Sequence, residues 1–128
     1  MITEDYVSFE VAKLLKENGF DVSCRVFYKD SQAGLYEFKN APKAYKDKLF
    51  EPCFLAPSLY MAMKWLREVY GIFIAINNND LDFNWQCYDL INRGSTLDPK
   101  ILSESYAGYK TYEEAVEAAL KYSLENLI

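Results

Sequence analysis

The side chains able to do chemistry in this 128-residue chain are carboxylates, tyrosines, lysines and three cysteines, because histidine is absent. Histidine is the usual proton carrier near neutral pH. Without it there is no Ser-His-Asp or Cys-His nucleophile pair within the chain. The imidazole ligands of most catalytic zinc sites are missing too. The cysteines stand at 24, 53 and 87, an odd count with no C-x-x-C spacing. Cys24 and Cys87 fall in apolar strand patterns. They read as buried reduced thiols, a usage that fits a reducing compartment.

Two spacings imitate known chemistry and then fail. Asn78, Asp80 and Asp82 imitate the first three oxygen ligands of a calcium loop, with Asp89 in twelfth place. Phe83 stands where that loop needs glycine, and Asp89 is shorter than the usual bidentate Glu. A hairpin turn is the better reading. Tyr60-x-x-x-Lys64 and Tyr106-x-x-x-Lys110 have the spacing of the proton-transfer pair of short-chain dehydrogenases. Those enzymes need a glycine-rich dinucleotide loop, and no G-x-G-x-x-G occurs. Glu113, Glu114 and Glu117 suit the start of a helix for dipole reasons alone. No cofactor, metal or catalytic residue is expected from these patterns.

Two further groups could bind rather than react. The chain has 11 Tyr, 8 Phe and 2 Trp. Strand alternation sets Val26, Ile74, Trp85 and Cys87 toward the helices and Phe27, Tyr36 or Phe38, Phe73 and Tyr88 toward the other side. Phe27, Tyr36, Phe38, Phe73 and Tyr88 are therefore the candidate interaction face. Such a face is covered by the chain's own third helix or long loop, buried in a homodimer, or used as a stacking platform. The second group is Lys39, Lys43, Lys46 and Lys48 around Tyr45, with Arg25, Lys29, Lys64 and Arg67 as neighbours. Interspersed Asp47 and Glu51 also suit a plain solvated loop.

The elements that position these residues follow from caps and periods. Ser8 caps a first helix with an apolar stripe of Phe9, Val11, Ala12, Leu14 and Leu15, ended by Gly19. Residues 24–29 and 35–39 read as a hairpin around a turn at 30–34. Residues 40–57 read as a long connection with room for a short helical turn near Tyr45 to Leu49. A second helix opens near Ser58 and runs to about Val69. Leu59, Ala62, Met63, Leu66 and Val69 share one face, and Trp65 lies at its edge. Gly71 ends it. Residues 72–76 are a wholly apolar strand, Asn77 to Asp80 a turn, and 83–91 an alternating strand. Residues 92–110 read as a loop. Thr111-Tyr112-Glu113-Glu114 is a capping box opening a helix over 112–126. All three helices begin with a cap, an anchor and then a small residue: Ser8-Phe9-x-x-Ala12, Ser58-Leu59-x-x-Ala62 and Thr111-Tyr112-x-x-Ala115. The small residue lets a helix backbone sit close to a sheet. The expectation is one α+β domain over 1–128, with a four-stranded, mainly antiparallel sheet carrying the helices and the order α-β-β-α-β-β-α.

Net charge is −5, unevenly spread. Residues 24–70 carry 8 positive and 5 negative charges, whereas 71–128 carry 4 and 9. An acidic chain repels phosphate backbones, so nucleic acid is a disfavoured partner. The N-terminus lacks the positive start and apolar stretch of a signal peptide, and no apolar run approaches the ~20 residues that cross a bilayer. A cytoplasmic location without membrane contact is expected.

Three stretches carry a resemblance: Ser8 to Asp21 (SFEVAKLLKENGFD), Met61 to Gly71 (MAMKWLREVYG) and Thr111 to Leu127 (TYEEAVEAALKYSLENL). They resemble a family of small uncharacterised proteins of gut anaerobic bacteria, many in prophage-like settings. The resemblance spans nearly the whole chain, the hairpins and long loops being its variable parts. It implies no activity and carries over no functional residue. It adds weight to phage-associated roles: accessory binding, host interference or protein–protein contact. Residues and resemblance together lead to a non-enzymatic interaction module that binds itself or another protein. A single-strand nucleic-acid binder using the aromatic face and an acidic inhibitor that imitates nucleic acid are the alternatives.

Overall fold

The computed structural model describes residues 3–29, 34–37, 53–91, 100–105 and 107–128. The chain divides into two compact units, Met1–Ser58 and Leu59–Ile128.

The first unit holds helix α1 (Phe9–Glu17) and strands β1 (Val26–Tyr28), β2 (Tyr36–Glu37) and β3 (Phe54–Leu55). Ser8 caps α1 by accepting the Val11 N–H at 3.2 Å. The far end closes on Gly19, at φ 90°. Gly19 N–H donates to Lys16 O and Phe20 N–H to Leu15 O, which satisfies two of the last helical carbonyls. Phe20 and Leu15 are both buried, completing the apolar contact of this cap. Val11, Ala12 and Leu15 form the buried face, and Phe9 sits edge-on to Tyr28 and Phe54 at 5.8 and 5.1 Å. The sheet order is β2-β1-β3, antiparallel throughout.

The second unit holds helix α2 (Leu59–Tyr70), strands β4 (Ile72–Asn78), β5 (Phe83–Asp89) and β6 (Lys100–Glu104), and helix α3 (Tyr112–Asn126). Gly71, at φ 68°, turns α2 into β4. Asn79 shapes the β4–β5 turn: its side-chain oxygen accepts from the N–H groups of Leu81 and Asp82 at 3.1 and 3.0 Å. This is the turn reading of the calcium-like spacing. Thr111 accepts the Glu114 N–H at 3.1 Å and starts α3 where the capping box placed it. The sheet order is β4-β5-β6, again antiparallel. Ala12, Ala62 and Ala115, the small residues of the three helix starts, are all fully buried.

The structure corrects the expectation of one four-stranded sheet. Each hairpin instead recruits its own third strand, giving two three-stranded sheets. The recruits, β3 and β6, lie inside 40–57 and 92–110, the stretches read as connection and loop. β3 is two residues long, and β6 carries an irregular register against β5. Neither offers a period long enough to read. Burial on β1 is also the reverse of the expected alternation, with Phe27 buried and Val26 half-buried. On α2 the buried stripe is Leu59, Ala62, Trp65 and Leu66. It swings toward the large Trp65 ring and leaves Val69 55% exposed.

Candidate functional site

The helix-facing side of the second sheet is closed. Ile72, Ile74, Trp85 and Cys87 are buried there. Cys87 Sγ lies 3.3 Å from Ser123 Oγ, and the Trp85 ring lies 5.1 Å from that of Tyr122, so α3 covers this side. Trp85 Nε1 is a buried donor with no acceptor among the described residues.

The opposite face follows from the same alternation. Phe73 pairs with Tyr88, and Tyr88 with Ile101, forming a row across three strands. The Phe73 and Tyr88 rings are 6.5 Å apart. Phe73 is 38% and Ile101 51% exposed. In the next row Ala75 lies opposite Gln86 and Gln86 opposite Glu104, polar on two of its three strands. Gln86 is its hub. Gln86 Oε1 accepts from Tyr88 Oη at 2.6 Å and from Asn77 Nδ2 at 3.0 Å, while its Nε2 donates to Glu104 at 3.2 Å. Three strands are thus cross-tied by side chains on a face that α3 does not cover. The register shift beside Cys87 and Tyr88 makes this possible. It adds one residue to β6 between the partners of those two, so Ile101 and Glu104 both meet outer-face partners.

Four of the five residues of the candidate interaction face divide between the two sheets. Phe73 and Tyr88 belong to the outer face just described. Phe27 and Tyr36 belong to the first sheet, as direct partners whose rings stack at 5.6 Å. Tyr36 is 40% exposed with Lys29 Nζ 4.8 Å from its ring centroid, while Phe27 is buried. Phe38 and the basic loop of Lys39, Lys43, Lys46 and Lys48 lie outside the described residues, as does the expected helical turn at 45–49. An open groove of about 280 Å³ runs beside Tyr36, lined by Tyr6, Arg25, Val26, Leu35 and Glu37. Arg25 and Glu37 pair across it at 3.6 Å, largely in solvent.

The three cysteines are buried thiols. Burial pushes the Cys24 thiol up to about 11. Burial also raises Cys87, against the opposing hydrogen bond from Ser123. A raised thiol is a poor nucleophile at neutral pH. Among the described residues no three Cys, Asp or Glu gather as metal ligands, and no helix is long and apolar enough to cross a membrane. Tyr60 of the first Tyr–Lys spacing is 65% exposed.

The sequence reading missed Ile101, Gln86 and Glu104. Gln86 and Tyr88 do alternate with Trp85 and Cys87, so two members of the polar cluster were within reach of the pattern. Ile101 and Glu104 are three residues apart, a spacing that the bulge alone puts on one face. Comparison with protein-family models, curated proteins and solved structures finds no match.

Proposed function

We propose that this chain works by binding a protein through the outer face of the second sheet, not by catalysis. The observation that carries this reading is the Phe73–Tyr88–Ile101 row, solvent-exposed at both ends beside side chains already locked by hydrogen bonds. Apolar surface rimmed by fixed polar groups loses little freedom on binding and gains from burial. The resemblance to prophage-associated proteins supports a phage or host protein, or the chain itself, as partner. The buried thiols support a cytoplasmic setting. A photo-crosslinking residue at Ile101 should give a discrete adduct in cells, whereas the same residue at Val69, on α2, gives none. Equal adducts from both positions would sink the reading.

The first sheet supports a second reading, single-strand nucleic-acid binding. Lys29 over the exposed Tyr36 ring, with Arg25 nearby, is a small basic–aromatic pair. Labelled oligonucleotides should then bind with an affinity that falls as salt rises, and a Tyr36→Ala variant should bind less. Absence of binding at low salt ends that alternative.

A further inference from the structure

We propose that two copies of this chain pair antiparallel through β4, so that their second sheets continue as one. The inference deepens the interaction reading by naming the partner and a contact separate from the outer face. It starts from the hydrogen-bond phase of β4. Leu90 N–H donates to Gly71 O at 2.8 Å and Asn79 N–H to Asp82 O at 3.0 Å. The register between them runs without a break from Ile72↔Asp89 to Asn78↔Phe83. Paired residues exchange hydrogen bonds at every second position, so Phe73, Ala75 and Asn77 bond to β5. Ile72, Ile74, Ile76 and Asn78 turn their N–H and C=O groups the other way, where no strand among the described residues meets them.

The edges of the two sheets are protected to very different degrees. β6 carries Lys100, Glu104 and a bulge, and β2 and β3 are two residues long. Short strands, charges and bulges are the devices by which sheets refuse new strands. β4 has none of them: seven residues, Ile-Phe-Ile-Ala-Ile-Asn-Asn, with no charge, proline or bulge. A second copy suits this edge because an uncharged strand meets no like charge when it pairs with itself. Accessibility chooses the register. Ile72 and Ile74 are buried, Ile76 is half-buried, and Asn77 and Asn78 are exposed. The two-fold axis therefore passes Ile76, with Ile76 opposite its own copy and Asn78 opposite Ile74 of the second copy. Each of these pairs exchanges both backbone bonds. The Ile76 side chains cover one another on the helix-facing side.

Light scattering during gel filtration is expected to give twice the chain mass at micromolar concentration. Asn78→Pro removes an N–H that β5 does not use, and Asn78→Lys sets a charge opposite Ile74 of the second copy. Both should yield monomers with an unchanged far-ultraviolet circular dichroism spectrum. Ile76→Cys should oxidise to a covalent dimer of native spectrum, since the natural cysteines are buried. A monomeric wild type that Ile76→Cys does not cross-link overturns the inference and leaves the outer face for another protein. A dimer that survives both edge variants but is lost in Phe73→Ser overturns it equally, and supports the outer face instead.

Discussion

The two sheets solve one problem by different means. The first is made of strands of three, two and two residues, the second of seven, seven and five. Short strands share few ladder bonds, so the first unit depends on tethers from side chain and flanking backbone. Tyr28 Oη donates to Val7 O at 2.8 Å, Lys16 Nζ to Cys53 O at 3.2 Å, and Val7 N–H to Pro57 O at 3.0 Å. Phe9 adds edge-on ring contacts to Tyr28 and Phe54. The second unit has long ladders and two helices, and its outer face keeps Phe73 and Ile101 exposed. A binding surface is more affordable where the ladder already supplies rigidity, which is why the better candidate lies in the second unit.

The sharpest way to break this comparison is through the second core. Leu120 is fully buried on α3. Leu120→Ala should cost about 2–5 kcal/mol in urea unfolding. Tyr28→Phe in the first unit removes one tether and should cost only about 1 kcal/mol. A Tyr28→Phe loss as large as that of Leu120→Ala would show that one bond, not the core, organises the first unit.

The two positive-φ glycines test the same contrast at a smaller scale. Gly19 has open space where a Cβ would stand, whereas at Gly71 that atom would collide with the Ile91 side chain. Gly19→Ala should cost roughly 1–2 kcal/mol from the left-handed backbone alone. Gly71→Ala should lower the melting temperature further, and adding Ile91→Ala should bring the two losses together. Equal losses without that second change would mean that the exposed Ile91 simply swings aside.

Helix caps should show no such contrast. Ser8→Ala and Thr111→Ala each remove one acceptor from a first-turn N–H and should each cost about 1 kcal/mol, measured by thermal unfolding. A large gap between them would reveal that one helix is held by packing instead of by its cap.

The last contrast concerns pH. Cys24 is raised from 9.0 to about 11 in the folded chain. The unfolded state then loses its proton first, so stability is full below pH about 9 and falls as pH rises toward 11. Urea midpoints measured across that range should decline less in Cys24→Ala than in the wild type. Identical slopes would mean that the folded thiol ionises as freely as the unfolded one.

Much of this molecule is legible without coordinates. Ser8, Gly19, Gly71 and the Thr111–Glu114 box act within one helical turn, so their spacing states where helices start and stop. The third helix runs over the residues its cap announces. The turn at Asn79 is equally local, since its side chain bonds only two and three residues away. Ile74, Trp85, Cys87, Phe73 and Tyr88 take the sides that alternation assigns, because two seven-residue strands give the pleat enough repeats to be read.

The tertiary structure alone decided how the strands divide into two sheets and which rings share a surface. β3 reaches β1 across more than 20 residues, and β6 joins β5 through a bulge that alters the side-chain phase. Short strands such as these are stabilised by hydrogen bonds from a distant partner, and nothing in their own sequence marks them. Phe27 turns inward for the same reason, because three residues of β1 carry too little pattern to fix a face and its partners Tyr36 and Leu55 decide it. Local bonds leave their mark in spacing. Bonds between segments far apart in the chain leave it only in the packed fold.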